Sequence, residues 1–531
     1  MPIALSFLLS RHCSKRATRF LSRIAMGVDK LLPCAVNIVK DAHAGSIDAL
    51  CIVDNESVTK DFAKDFDELR KYDAAFDKEV SCLKLPSCSQ RIIYSPVGKL
   101  DDYSDVRSYQ VAAQKAVSRA IKAGAKRPAI VLPNSSLFRN AKLCTILGAL
   151  HELYVPIQLR EAVPTKKQRV ESISILGDNP AESEKLLREA ITIESGRLVA
   201  RDIGGGDPER MTPLKVEQYI RETLKELKIE VISDVETLKK EYPLFEAVNR
   251  AASSVPRHEG RIIFVEYKPP SPARKTLMLV GKGVCYDTGG ADIKAGGIMC
   301  GMSRDKCGAA AVAGFMQYVQ EQKPKDIHVI AALCMVRNSV GEECYVSDEI
   351  ITSRAGVRVR VGNTDAEGRM CMADALCKMK EMAVDLPDPH LFTIATLTGH
   401  AIIAMGFGYS IVMDNSVARA SAHAQHLRQV GEEFGEPFEI SVIRKDDFDI
   451  NLGKAIGEDI VQCNNAPSSK TPRGHQMPAA FLMQVTGLDK HGMSAKKPIK
   501  YSHLDIAGSA GDVPDPPTGA PILALAKAHL N

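Results

Sequence analysis

The 531-residue chain is notable first for what it lacks. No run approaches the ~18 consecutive apolar residues that cross a bilayer, which argues against a membrane-spanning helix. No internal repeat, low-complexity tract or long Gly/Ser linker marks a disordered, collagen-like or coiled-coil chain. The fourteen cysteines include no C-x-x-C pair, and Cys82/Cys88, Cys300/Cys307 and Cys371/Cys377 lack zinc-finger spacing. Scattered thiols in a chain too large to need disulfide staples fit a reducing compartment, hence a cytoplasmic location. The thirteen histidines form no H-E-x-x-H pattern, so any metal site must rely on carboxylates. A charge excess is also missing. The 69 Lys and Arg against 65 Asp and Glu are too even for a dedicated nucleic-acid binder. What remains, 45% hydrophobic and 25% charged, is an ordinary globular composition long enough for roughly two to four domains.

Acidic residues are absent from residues 1–28, which hold Arg11, Lys15, Arg16, Arg19 and Arg23. Without those five the basic residues number 64 against 65 acidic, so the whole positive balance of +4 sits in this tail. On a helical wheel the cations share one side, and Cys13, Ala17, Phe20, Leu21 and Ile24 the other. An Arg-rich, acid-free amphipathic segment is the pattern of a mitochondrial transit peptide. Two other readings stay open: Met26 as the working start, and a solvated basic arm.

Strand-like runs at Ala35–Val39, Leu50–Val53, Ile92–Tyr94 and Ala129–Leu132 alternate with helical patterns over Val106–Ala123 and Leu137–Leu153. Pro180–Leu198 reads as one connecting helix. Strand candidates resume at Ile229–Ile232, Arg261–Tyr267, Thr276–Val280, Ile327–Leu333, Val357–Val361, Phe392–Thr396, Ser410–Met413 and His503–Ile506. Such alternation predicts an α/β protein. The stretch Arg444–Gln476 reads as a long polar loop of the kind that carries function.

Two clusters follow strands in the second region. The first runs Val280-Gly-Lys-Gly-Val-Cys-Tyr-Asp-Thr-Gly-Gly290 and continues to Asp292, Lys294 and Asp305. The second is Gly362-Asn-Thr-Asp-Ala-Glu-Gly-Arg369. Ligands of α/β sheets gather beyond the carboxyl ends of strands, where both would lie. A phosphate loop is not spelled out, because G-x-x-x-x-G-K-[ST] is absent. Asp287, Asp305, Asp365 and Glu367, crowded beside apolar runs, would repel unless cations neutralise them. Oxygen donors suit Mg²⁺, Mn²⁺ or Zn²⁺, and four carboxylates suit a pair of ions. A structural ion-pair network with capping Asp residues is the alternative.

Asn363-Thr-Asp-Ala-Glu-Gly-Arg369, the spaced series Lys282, Asp287, Lys294 and Asp305, Ala395-Thr-Leu-Thr-Gly399 and His503-Leu-Asp-Ile-Ala-Gly508 together resemble the M17 leucyl aminopeptidase (cytosol aminopeptidase) family. Tyr286-Asp-Thr-Gly-Gly290 and Pro467-Ser-Ser469 look closest to its "probable aminopeptidase-like" branch. The resemblance covers about residues 195–531. It implies a smaller N-terminal α/β domain and a larger C-terminal α/β catalytic domain with a central mixed sheet flanked by helices. On this sequence the division would be a targeting tail at 1–28, an N-terminal domain at 29–179, a connecting helix at 180–199 and the catalytic domain at 200–531.

The resemblance further implies metal ligands at Lys282, Asp287, Asp305, Asp365 and Glu367. Zinc or manganese would be the two ions, with magnesium a third candidate. A water bridging them would attack the N-terminal peptide bond of short peptides and release apolar residues. Lys282 could ligate only as a neutral amine, so burial and the metals themselves would have to lower its pKa. Lys294 would polarise the scissile carbonyl, and Arg369, near a helix start, would hold bicarbonate. Met302 and Thr396 match positions lining the side-chain pocket. The implied assembly is a homohexamer, with no nucleic-acid or membrane partner. Departures are Lys306 and Cys307, where better-known members carry Met and Gly, and Ile298 in place of an Asn. Ala510 stands where a pocket Met often lies, which implies a wider pocket. Lys306 would weaken metal binding or point to solvent. A catalytically weak homologue serving as a structural or binding hexamer is the rival reading.

Overall fold

A computed structural model describes residues 31–42, 44–53 and 62–530. The basic segment over 1–28 lies outside the described residues. The described chain divides into two compact units. One holds the residues up to Val155 together with Leu159–Leu198; the other holds Pro156–Gln158 and the residues from Val199 onward.

The first unit is built on a six-stranded sheet. Its strands are β1 (Ala35–Ile38), β2 (Ala49–Ile52), β3 (Ser81–Leu83), β4 (Arg91–Tyr94), β5 (Pro128–Val131) and β6 (Ser172–Leu176), in the order β1-β6-β5-β2-β4-β3. All neighbours are parallel except β3, which closes the edge antiparallel to β4. Strands β2 and β5 are fully buried, as expected of parallel strands covered on both faces. Phe66, the buried residue of helix Ala63–Tyr72, packs with Phe76 and Tyr94, the three ring centroids 4.9–5.2 Å apart. Helices α1 (Arg107–Lys122) and α2 (Ala141–Glu152) lie close because Gly148 has no Cβ; one added there would fall 2.3 Å from the Gln110 carbonyl oxygen. Strands β3 and β6 escape the sequence pattern, being short and flanked by polar residues.

Helix α3 (Pro180–Gly205) continues past the expected end of the connecting helix, giving its residues through Leu198 to the first unit and the rest to the second. The second unit carries an eight-stranded mixed sheet. Its strands are β7 (Lys228–Ile232), β8 (Arg261–Tyr267), β9 (Lys275–Asp287), β10 (Ile327–Asn338), β13 (Pro389–Ala395), β14 (Ser410–Asp414), β15 (Phe438–Ile440) and β17 (Lys500–Asp505). The order is β15-β14-β17-β13-β9-β10-β8-β7. The middle four, β17, β13, β9 and β10, are parallel, so their carboxyl ends open on one edge. The Val357–Val361 candidate does not join this sheet. It forms β12 (Arg358–Arg360) of a separate three-stranded sheet with β11 (Ile350–Thr352) and β16 (Ile460–Val461).

Strand β9 is thirteen residues long and almost wholly buried. Helix α4 (Cys307–Gln322) lies directly against it because its first turns are small residues and Gly281 faces them. A Cβ at Gly281 would come within 2.5 Å of Ala309 Cα, and one at Gly308 within 2.2 Å of the Ile394 carbonyl oxygen. These glycines allow helix and strands to close without a gap. Helix α5 (Glu367–Ala383) packs on the same strands, and α6 (Gln476–Thr486) packs on α5. The Arg444–Gln476 stretch is more ordered than a loop. It contains a short helix at Lys445–Asp449, β16 and a turn at Ser468–Lys470, pinned by Arg473 on buried Asp447 at 2.5 Å.

Candidate metal centre

Strand ends and turns of the second unit converge on a cavity of about 410 Å³. Lys282 projects from β9, and Asp287 ends that strand. Asp305 lies in the turn Met302–Lys306 that precedes α4. Asp365 lies in the turn Thr364–Ala366, and Glu367 and Arg369 stand in the first turn of α5. Lys294 follows the Gly289-Gly290 bend, and Thr396 follows β13. Lys282, Asp287, Lys294, Met302, Asp305, Asp365, Arg369 and Thr396 all line the cavity. Every site residue expected from the sequence therefore falls at this one place, Glu367 through its contact with Lys282.

The geometry is that of interleaved opposite charges. Lys282 Nζ lies 2.7 Å from Asp305 Oδ1 and 2.9 Å from Glu367 Oε1, and it also donates to the Thr396 carbonyl at 3.1 Å. Lys294 Nζ lies 3.0 Å from Asp287 Oδ2 and pairs with Asp365 Oδ1. Lys282, Asp287, Asp305 and Glu367 are all buried. One carboxylate oxygen each from Asp287, Asp305 and Glu367 can be chosen so that all three lie within 4.8 Å of one another. Asp305 Oδ2 and Glu367 Oε2 are buried without a hydrogen-bond partner among the described residues. Buried oxygens left unsatisfied are costly, by about 1–3 kcal/mol each or more when charged. The donor set, all oxygen plus one amine, with carboxylate oxygens close together and lacking partners among the described residues, fits a hard or borderline divalent ion.

Local structure explains why these residue types occupy these places. Gly368 is an α5 position where a Cβ would sit 2.5–2.7 Å from the Lys282 Cε, Cδ and Nζ atoms. Only glycine leaves the lysine its path to Glu367 and Asp305. Gly289 and Gly290 adopt left-handed φ of 90° and 67°, turning the chain back so that Gly289 N–H caps Asp287 Oδ1 at 2.9 Å. Asn363 accepts from the Asp365 N–H at 2.8 Å, fixing the tight turn before α5.

The electrostatics follow from burial and neighbours. Burial pushes Asp305 and Glu367 upward, and the neighbouring carboxylates add to it; Asp365 is pushed to about 7 by burial, Asp287 and Glu367. The lowering expected of Lys282 from burial together with the metals is not produced by the protein groups alone. Burial does act downward on Lys282, but Asp305, Glu367 and Asp287 outweigh it and hold the ammonium well above its ordinary value. Lys294 is raised for the same reason: burial lowers it, and Asp287, Glu367 and Asp365 raise it further. Lys306 also departs from expectation. It neither reaches solvent nor enters the carboxylate cluster; its fully buried Nζ donates to the carbonyls of Gly206 and Ser303.

Several positioning residues escape sequence reasoning. Asn338 ends β10 opposite Asp287, and its amide donates to Asp287 Oδ1 at 2.8 Å and to the Thr364 carbonyl at 3.1 Å. Asp292 Oδ2 accepts from the Thr364 N–H at 2.7 Å. Gln462 accepts from Gly362 and Asn363 N–H, donates to the Asn363 and Ala366 carbonyls, and its own carbonyl accepts from Arg369 at 2.8 Å. Only Asp292, inside the first cluster, carried any local signal. Asp505, pushed up to about 6 by burial, accepts from Thr398 Oγ1 at 2.7 Å and braces the strand end beside Thr396. The outer cavity wall mixes Ile298, 62% exposed, and Phe407, 65% exposed, with charged Arg304 and Asp512.

A family model described as the cytosol aminopeptidase family, catalytic domain, matches residues 198–526. The chain belongs to that family. As a member it is a peptidase, metal-dependent by family. The chain is 43% identical over 444 residues to a Caenorhabditis elegans protein, W07G4.4, named for an aminopeptidase, covering 82% of this chain and 84% of the relative. A Campylobacter jejuni protein named for a cytosol aminopeptidase is 33% identical over 329 residues, 60% of this chain and 62% of its own. Among solved structures, a tomato leucine aminopeptidase mutant superposes with a TM-score of 0.75 at 21% identity, covering 94% of this chain and 96% of that one. The bottromycin maturation enzyme BotP, solved in complex with Mn, gives 0.74 at 21% identity, covering 91% and 98%. At that identity these structures establish the shared two-domain α/β fold. No helix among the described residues is long and apolar enough to cross a membrane.

Proposed function

We propose that the chain releases N-terminal residues, chiefly apolar ones, from short peptides. Asp287, Asp305, Asp365 and Glu367, joined by Lys282 once a bound cation displaces its proton, would hold two divalent ions, zinc or manganese, with magnesium the third candidate. The observation that carries this reading is the buried carboxylate triad, whose Asp305 Oδ2 and Glu367 Oε2 have no hydrogen-bond partner among the described residues. The Mn in the BotP structure supports a divalent ion of this kind. Such ions, when bound, supply Lewis acidity and a water acidic enough to act as nucleophile near neutral pH.

The chain's own residues do the rest. Lys294, kept charged by its carboxylate neighbours, stabilises negative charge as it develops on the scissile carbonyl oxygen. Arg369 is anchored by the Gln462 backbone carbonyl and lies 5.9 Å over the Phe481 ring, and its buried Nε has no hydrogen-bond partner among the described residues. That edge, at the start of α5, suits a small anion such as bicarbonate able to accept and return a proton. Met302 and Thr396 line the pocket for the departing residue, and the small Ala510 leaves it wide. A cytoplasmic homohexamer would restrict access to short or unfolded peptides.

The test is to load the full chain with Mn²⁺ or Zn²⁺, count the bound ions, and follow hydrolysis of leucine amide and methionine amide. Turnover that depends on the ions is expected. Protein with two ions bound and no turnover on either substrate overturns the enzymatic mechanism and favours the binding-hexamer alternative.

A further inference from the structure

Lys306 directly follows Asp305, and its side chain is fully buried. Its Nζ lies 2.8 Å from the carbonyl oxygen of Gly206 and 2.5 Å from that of Ser303. Both acceptors are neutral carbonyls rather than carboxylates. An ammonium so placed is costly to bury, and burial lowers its pKa. A methionine would fill the same volume without that cost.

The two carbonyls belong to different parts of the second unit. Ser303 lies in the Met302–Lys306 turn that carries Asp305, and Gly206 follows the end of α3. The ammonium thus ties the turn to a helix end a hundred residues away in sequence. The turn is only five residues long and follows Gly301, whose φ of 90° is left-handed. The same junction has other cation-to-carbonyl ties: Arg304 donates to the Asp515 carbonyl at 2.6 Å, and Arg201 Nε to the Pro517 carbonyl at 3.1 Å. On the other side of the turn, Asp305 meets Lys282 Nζ at 2.7 Å and Thr396 Oγ1 at 2.9 Å.

We infer that Lys306 is a positioning residue for the metal centre: its ammonium tethers the Asp305 turn to Gly206 and so presets the Asp305 carboxylate for a divalent ion. Its action is mechanical. None of the cluster carboxylates is among its acceptors, so its charge is spent on backbone rather than on the ion. Polar groups that orient a metal ligand typically change affinity by about 10–100-fold when removed.

This inference rests on the metal-centre reading, and the experiment separates the two. Mn²⁺ is titrated calorimetrically into the full chain as wild type, Lys306→Met, Lys306→Gln and, as a remote control of reduced stability, Phe66→Leu. Circular dichroism and melting are recorded for each. Lys306→Met keeps the stem but no donor, and Lys306→Gln keeps one donating group. The expected result is Mn²⁺ affinity about 10–100-fold weaker in Lys306→Met, partly recovered in Lys306→Gln, and unchanged in Phe66→Leu. A folded Lys306→Met variant with wild-type affinity overturns the tether. So does failure of both Lys306 variants to fold, which would make the residue a requirement of the whole fold. Wild type that binds no Mn²⁺ overturns the metal-centre reading itself.

Discussion

The Nζ of Lys282 lies 2.9 Å from Oε1 of Glu367, and both side chains are buried, at 4% and 1% exposure. One comes from the middle of β9 and the other from the first turn of α5. Their charges would be costly to bury singly and are tolerable only together. Removing the cation should therefore uncover the repulsion among the carboxylates. Lys282→Met is expected to lose about 3–5 kcal/mol of stability in urea unfolding without added metal. A loss below about 1 kcal/mol would mean that the carboxylates are relieved by another route.

Room for that lysine comes from Gly368. A Cβ there would lie 2.7 Å from Nζ itself. Gly368→Ala should displace Lys282, lower stability by roughly 1–3 kcal/mol and reduce leucine amide hydrolysis. Wild-type melting and kinetics in this variant would show that the close approach relaxes without consequence.

Lys294 reaches both Asp287 and Asp365 from a loop, within the cavity. If it stabilises developing charge rather than binding the ground state, Lys294→Met should lower kcat by about 10²–10³ and leave KM nearly unchanged. A rise in KM with kcat intact would reassign it to substrate binding.

Bound ions should stabilise the fold by mass action. At Mn²⁺ concentrations about 100-fold above Kd the gain is about 2.7 kcal/mol, read as a rise in Tm. Asp305→Asn should abolish most of that rise. An equal rise in wild type and Asp305→Asn would place the ion elsewhere.

Acid sensitivity has a separate source. Burial, then His475 and Arg369, push His503 down to about 3, so the folded chain keeps it neutral while the unfolded chain protonates it near 6.5. Between those values the unfolded state binds more protons. Stability therefore falls as pH drops through that window and is retained above it. Asp505, raised by burial to about 6, acts in the opposite sense, so the contrast is best read from a variant. Wild type should lose up to about 1.4 kcal/mol per pH unit more than His503→Gln in urea unfolding across that window. Parallel profiles would refute this origin.

Most of the strands were legible because buried parallel strands are written as apolar runs: β2, β5, β9 and β10 each stand out for that reason. Short edge strands such as β3 and β15, with half-polar sequences, carry no such mark. Among the functional residues, Asp365, Glu367 and Arg369 announce themselves through one contiguous motif, whereas Gln462, which braces that motif through five hydrogen bonds, comes from a distant polar stretch.

The sequence by itself determined which residue types could make the site: carboxylates, lysines and an arginine in two short clusters, with glycines where backbone must pass close. Tertiary structure decided which of them touch and in which direction each points. Lys282 and Lys306 show the difference. Both are buried lysines beside Asp305, yet one turns its ammonium onto carboxylates and the other onto backbone carbonyls. Composition and spacing record burial and local turns, but the partner of a buried charge is fixed by strand order and helix packing across long sequence separations. No local pattern encodes that choice.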